Sequence, residues 1–431
     1  MNALIGGAYE AAMQLARGAA ALAPSGGGKL GATFRARRGI RARYARWGRE
    51  SRAPGDESRP LVWMHASSVG EGLQARPVLA ALRDAHPEIR LAYTFFSPSA
   101  EQFARSLAVD FADYLPFDSR GDARAALDAL RPRVLAFSKL DLWPELVAAA
   151  HARGVRLALV SATLSARSSR RSPVAASLTR DAYAMLDAVG AIDEADAMRL
   201  VGIGVQREVI TITGDTRYDQ VWARARAIAE RETVLAPLRS DRPTLVAGST
   251  WPADERALLP AWIATRTRVP DARLIIAPHE PSPRHLAPIE QWASERGLAL
   301  ERTSARDPAR ADVLLVDVVG MLGDLYALAN VAYVGGGFHD AGLHSVLEPA
   351  AFGVPVLFGP RHEGSRDASL LEACGGGMSV PDGAALGARL TELLTDDEAR
   401  AEAGACAKSM VDRGTGASAR SVAIIEKLLG R

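Results

Sequence analysis

At 431 residues, with 48% hydrophobic and 24% charged residues, the chain is too long for one ordinary core and too apolar for a disordered chain, so two domains are expected. A formal net charge of +2 excludes a dedicated nucleic-acid binder. Two cysteines, Cys374 and Cys406, exclude a disulfide scaffold and a CxxC metal site and fit a reducing compartment.

Near the start, Ile5, Tyr9, Met13 and Ala16 recur at helical spacing while Glu10, Gln14 and Arg17 fall elsewhere, the pattern of an amphipathic helix. The polar residues interrupt the apolar run and argue against a membrane-spanning helix, and Pro24 after Ala21-Leu22-Ala23 argues against a cleaved signal peptide. Arg35, Arg37, Arg38, Arg41, Arg43, Arg46 and Arg49 follow, interleaved with Phe34, Tyr44 and Trp47, a composition suited to anionic headgroups. Residues 1–50 are therefore expected to form a membrane-associating basic segment; the alternative is a helix packed on its own domain with a solvated basic face.

From LVWMHASSVG (61–70) onward, the apolar runs LAYTFF, VLAFS, RLALVSA, VGAID and EVITITG alternate with helical patterns, the signature of βαβ units and a parallel sheet. A helix is expected from about Leu73. A charged helical stretch follows TGDTRYDQV, and a second series begins with PTLVAGST (243–250) and runs through RLIIAPHE, DVLLVD, VAYVGGG and VPVLFGP. The expected fold class is α/β: residues 51–220 form one Rossmann-like domain and 221–431 a second, facing each other across a cleft. The final helix, 418–430, could pack on either half. In open α/β sheets ligands bind beyond the carboxyl ends of the strands, where the motifs should lie.

After the first strand, His65-Ala66-Ser67-Ser68-Val69-Gly70-Glu71-Gly72 places Glu71 at a helix start, either as a stabilising charge or as a general base kept ionised by the helix dipole. After VAYV, Gly335, Gly336 and Gly337 let backbone amides approach a ligand, unless they form only a tight turn. Glu348, before Pro349, is positioned to accept hydrogen bonds from sugar hydroxyls. Neither a GxGxxG turn nor a P-loop occurs at the matching places, and there is no HExxH or GxSxG motif, so no metal, cofactor or covalent nucleophile is expected.

In order and spacing, WMHASSVGEGLQARPVLAALR, KLDLWPEL, VSATLSARSSR, TGDTRYDQV and GGGFHDAGLHSVLEPAAFGVPVLFGP resemble the 3-deoxy-D-manno-octulosonic acid (Kdo) transferase family of lipopolysaccharide synthesis. The resemblance implies a GT-B glycosyltransferase, with an acceptor domain first and a CMP-sugar domain second. It implies CMP-Kdo as donor, a lipid A precursor (lipid IVA) as acceptor, and a peripheral position at the cytoplasmic face of the bacterial inner membrane, where the basic segment would meet anionic lipid. Glu71 would deprotonate the acceptor hydroxyl for inverting attack on the anomeric carbon. Gly335, Gly336 and Gly337 would lie at the nucleotide and Glu348 at the ribose, with Ser249 and Thr250 reaching phosphate or the Kdo carboxylate. Ser68, Gly70, Lys139, Asp141 and Arg167 would face the acceptor.

The chain departs from the family pattern at several places. Lys139 stands where an acid is common, suited to an acceptor phosphate or donor carboxylate, or else salt-bridged to Asp141 or Glu145. Leu343 and Ser345 replace Gly and Asn around His344, and His279 stands where an Arg is frequent, with Arg284 as a substitute charge in the donor site. Two other readings are a membrane-associated GT-B binding protein that has lost catalysis, and a GT-B transferase or epimerase using another sugar nucleotide.

Overall fold

The computed structural model describes residues 3–22, 28–51, 59–166, 168–305, 308–340 and 342–430. They form two compact units, residues 1–220 with 415–431, and residues 221–414. In unit 1 the strands are β1 (Leu61–His65), β2 (Arg90–Phe95), β3 (Phe111–Tyr114), β4 (Val134–Ser138), β5 (Arg156–Ala162), β6 (Ala188–Ala191) and β7 (Ile210–Ile212), in the order β3-β2-β1-β4-β5-β6-β7. In unit 2 they are β8 (Thr244–Thr250), β9 (Arg273–Pro278), β10 (Leu300–Arg302), β11 (Val313–Leu315), β12 (Val331–Val334), β13 (Val356–Phe358) and β14 (Gly377–Ser379), in the order β10-β11-β9-β8-β12-β13-β14. Every pairing within these sheets is parallel.

Parallel strands covered by helices on both faces must be apolar on both. All five residues of β1 are buried. In unit 2 the alternation is explicit. Leu245, Ala247, Leu274 and Ile276 join one core, while Val246 and Ile275 join a separate core on the opposite face. The chain reverses its direction of travel along each sheet between β1 and β4 in unit 1, and between β8 and β12 in unit 2, and the loops leaving those strands diverge there.

The last helix, Ala417–Leu429, packs on unit 1, burying Val422, Ile425, Leu428 and Leu429 in its core. Asp219 holds the start of that helix, accepting from Gly416 N at 2.6 Å and Ser418 N at 2.7 Å.

The N-terminal helices make contacts with their own unit, as the packed-helix alternative expects. Tyr9 donates to Asp118 Oδ2 at 2.9 Å and Glu10 accepts from Arg120 N at 2.9 Å, so this face of the helix Ala3–Leu22 meets its own unit. In the following segment Arg37 is buried, Arg41 ion-pairs with Asp122, and Arg43 forms a two-pronged pair with Asp113 at 2.7 and 2.8 Å. Arg37 is thus held by backbone carbonyls, and Arg41 and Arg43 by the carboxylates of Asp122 and Asp113. No helix among the described residues is long and apolar enough to cross a membrane.

Candidate active site

In unit 1 the sequence motifs meet at the sheet's reversal point. The helix after β1 starts at Val69, four residues earlier than expected, because Ser68 and Glu71 form a capping box that outweighs Gly70 and Gly72. Glu71 Oε2 accepts from Ser68 N at 2.9 Å and Ser68 Oγ at 2.8 Å. Its Oε1 accepts no hydrogen bond among the described residues. Gly72 is not there to leave room around Glu71: a Cβ would stand 2.5 Å from Phe103 and 2.6 Å from the Tyr93 hydroxyl. Nothing crowds Gly70, whose added Cβ would meet only Ser68 Oγ, at 4.0 Å.

Behind this helix start lies a polar network that the sequence reading missed. His65 is fully buried at the end of β1. The Trp143 indole donates to its Nε2 at 3.1 Å, which leaves the ring proton on Nδ1, 2.9 Å from Thr94 Oγ1. Burial pushes the His65 pKa down to about 4, against the opposing pull of Asp141, so the ring is neutral. Ser67 Oγ sits 3.0 Å from Nε2 and donates to Asp141, whose other oxygen accepts from Arg170 at 3.2 Å. The signal was present in the H-A-S spacing after β1 and in Trp143 beside Pro144, but the partners are 74 and 78 residues apart.

Lys139 follows β4 with φ 60°, a left-handed backbone that a side chain rarely adopts. Neither alternative partner engages it, since Asp141 pairs with Arg170 and Glu145 with Arg120. Lys139 has no ion pair among the described residues. Ser161, at the end of β5, and Ser249, at the end of β8, share this backbone with φ 51° and 54°, and such strain concentrates at functional strand ends. Arg167 lies outside the described residues.

In unit 2 the glycine run follows β12. A Cβ on Gly335 would stand 2.2 Å from Ser249 O, one on Gly336 (φ 94°) 2.2 Å from Gly342 O, and one on Gly337 2.4 Å from Gly359 N. The three glycines therefore answer to the protein's own backbone. Two of the three amides are engaged within the unit: Gly335 N donates to Gly248 O at 2.9 Å and Gly336 N to Asp254 Oδ2 at 2.8 Å. Asp254 is fully buried and also accepts from Phe338 N at 3.2 Å, Tyr333 Oη at 2.9 Å and Trp251 N at 2.9 Å.

Aromatic and imidazole rings gather beside this loop. Trp251 stacks with His339, centroids 4.4 Å apart and 5° from parallel, and with His279 at 4.6 Å. Its indole donates to His344 Nε2 at 3.1 Å, and burial followed by the nearby His279 pushes the His344 pKa down. The predicted His279 and His344 are thus brought together with His339, while Trp251 and Asp254 went unread.

Other predicted donor contacts fare differently. Thr250 is buried and spends its hydroxyl on Glu255 at 2.9 Å, whereas the Ser249 side chain is half-buried. Arg284 is exposed in the first turn of the helix Pro283–Glu295. Glu348 lies 4.0 Å from Arg224 Nη1, which shares its guanidinium with Asp324 at 2.7 Å, and burial raises the Glu348 pKa. A half-buried acid beside a cation and the buried Tyr326 can accept hydroxyl donors from a ligand.

Residues 38–220 match the family model described as 3-deoxy-D-manno-octulosonic-acid transferase (kdotransferase). The 3-deoxy-D-manno-octulosonic acid transferase of Bordetella pertussis is 31% identical over 401 residues, covering 90% of this chain and 91% of that protein. That of Haemophilus influenzae is 26% identical over 328 residues, 75% of each chain. Among solved structures, UDP-GlcNAc 2-epimerase from Neisseria meningitidis superposes with a TM-score of 0.62 at 14% identity, over 86% of this chain and all of that one, a likeness of fold.

Proposed function

The chain belongs to the 3-deoxy-D-manno-octulosonic acid (Kdo) transferase family, glycosyltransferases of lipopolysaccharide synthesis, and from that premise we propose that it moves Kdo from CMP-Kdo to a lipid IVA-type acceptor with Glu71 as general base. The observation that carries the proposal is the division of labour within one carboxylate: Oε2 is pinned by Ser68, and Oε1 is left to take a proton. The group lies in the first turn of the helix Val69–Ala85, where the helix dipole favours a negative charge. Glu71 takes the acceptor hydroxyl proton as that oxygen bonds to the anomeric carbon; the bond from the anomeric carbon to the CMP phosphate oxygen breaks, and CMP leaves with the electron pair.

Donor recognition is assigned to unit 2. The Trp251, His279, His339 and His344 rings offer flat faces to a base, and Glu348 with Arg224 offers hydroxyl and phosphate contacts. In unit 1 Lys139 supplies a cation to the acceptor's phosphate, and Asp141 orients Ser67. The enzyme is placed as a peripheral protein on the cytoplasmic face of the inner membrane, supported by Arg46 and Arg49, which stay exposed, and by Leu15, 75% exposed.

The test is transfer from CMP-Kdo generated in situ to a tetra-acylated lipid A precursor, read by mass spectrometry. Kdo-sized mass steps are expected from the native protein. Glu71→Gln should lose at least about a hundredfold in rate, the span of a general base, with CMP binding unchanged. A Gln variant with native turnover would remove Glu71 as the base.

A further inference from the structure

Ser68 holds Glu71, and Ser68 is itself held through the residue before it. The carbonyl of Ser67 and the amide of Ser68 belong to one planar peptide unit. The oxygen of that unit accepts from Phe96 N at 3.0 Å and Ser97 N at 2.9 Å, and its N–H is the donor to Glu71 Oε2 at 2.9 Å. The tilt of this plane therefore sets where the Glu71 carboxylate points. On the other side Ser138 Oγ, at the end of β4, donates to the Glu71 carbonyl at 3.0 Å, so the main chain of Glu71 is tied as well.

The Ser67 side chain is a further handle on the same plane. Trp143 donates to the single lone pair of His65 Nε2 at 3.1 Å, so the Ser67 hydroxyl, 3.0 Å from that nitrogen, sends its proton to Asp141 Oδ2. Asp141 is fixed in turn: its Oδ1 accepts from Arg170 Nη2 at 3.2 Å, and Arg170 Nη1 donates to Leu140 O at 2.9 Å. Both oxygens of Asp141 thus have protein partners, whereas Glu71 Oε1 has none among the described residues. Adjacent serines serve the two carboxylates, and only one of the two acids keeps an oxygen for a ligand.

We propose that Asp141 and Ser67 are positioning residues for the transfer reaction. Asp141 orients the Ser67 hydroxyl, Ser67 sets the peptide it shares with Ser68, and that peptide aims the open oxygen of Glu71. This role rests on Glu71 as the base. It takes Asp141 away from the acceptor, where the family resemblance puts it, and leaves both residues without a proton to exchange with substrate.

The test is steady-state transfer from CMP-Kdo to a tetra-acylated lipid A precursor. Turnover and both KM values are measured for Ser67→Ala, for Asp141→Ala, for the two combined, and for each single change in a Glu71→Gln background. Both positions are half-buried, so melting temperatures should stay close to native. A misaimed base costs turnover and spares binding: each single variant should lose roughly tenfold to a hundredfold in kcat, with both KM values within about twofold of native. The combined variant should lose no more than the worse single one, because the two residues act as one unit. Once Glu71 is Gln, either change should alter the residual rate by less than about twofold. Should Ser67→Ala melt early, Asp141→Ala in the two backgrounds answers the same question. Native kcat in both single variants overturns the proposal, as does a raised acceptor KM at native kcat, which would make Asp141 an acceptor contact. A full loss retained in the Glu71→Gln background also overturns it, since the pair would then act elsewhere while Glu71 stays the base. Native turnover in Glu71→Gln alone removes the base and this role with it, so the two failures are told apart.

Discussion

Glu71 holds two roles that a substitution can separate. As the acid of a capping box it stabilises the helix start, and in the proposed mechanism it takes the acceptor's proton. Glutamine keeps the cap and alanine loses it, so Glu71→Ala should cost about 1 kcal/mol in urea denaturation while Glu71→Gln stays near the native value. Both should be inactive. His65 makes a different residue-scale prediction. An unfolded histidine takes up its proton near pH 6.5, whereas this buried one resists protonation until about pH 4. The folded state therefore loses ground as pH falls through that window, by up to on the order of 3 kcal/mol, and holds its full stability above pH 6.5. Melting temperatures from pH 7 to pH 4.5 should show a slope that His65→Asn flattens; an unchanged slope would clear His65 of the effect. At this scale the sequence was half legible. Glu71, His279, His344 and Glu348 were visible in motifs, but the hydroxyl of Thr250 reads the same in sequence whether it faces a ligand or a buried Glu255.

At the scale of elements, the loop after β12 is shaped by a helix. Asp254 sits in the first turn of the helix Pro252–Arg266 and gathers amide donors from Trp251, Gly336 and Phe338 together with the Tyr333 hydroxyl. Asp254→Ala would leave four donors unmatched, two of them buried and each of those worth about 1–3 kcal/mol, and should destabilise unit 2 by at least about 3 kcal/mol. The ring stack of Trp251 should loosen with it, so nucleotide binding measured by titration with CMP should weaken together with stability. Retained stability would mean that the glycine contacts alone shape the loop. The GGG run was conspicuous in the sequence and its need for glycine was readable; what demanded it was not. The demand comes from Ser249, Gly342 and Gly359, backbone brought close only by the order β8-β12-β13. The early start of the helix at Val69 shows the reverse case, a local capping rule legible in S-V-G-E that the two glycines obscured.

For the whole molecule, alternating apolar runs and helical patterns made two parallel sheets readable, because buried strands of this kind leave an uninterrupted hydrophobic trace. The order of strands did not show, since it depends on crossovers. Nor did the capture of Arg37 by the Leu115 and Phe96 carbonyls, or of Arg41 and Arg43 by Asp122 and Asp113, because those partners are far off in sequence. The final helix could be foreseen but its destination could not. Four of its apolar side chains complete the core of unit 1, so ending the chain after Gly414 should expose that core and unfold unit 1 while leaving unit 2 cooperative. Hydrogen exchange would show the loss confined to unit 1; protection retained there would mean the helix is dispensable.

This closure has a consequence for the order of manufacture. Residues 415–430 leave the ribosome after the whole of unit 2, so unit 2 can finish folding as it emerges, whereas unit 1, although made first, waits for the last helix. Glu71 belongs to the unit that matures last, and an interrupted nascent chain would carry a finished unit 2 beside an unfinished unit 1.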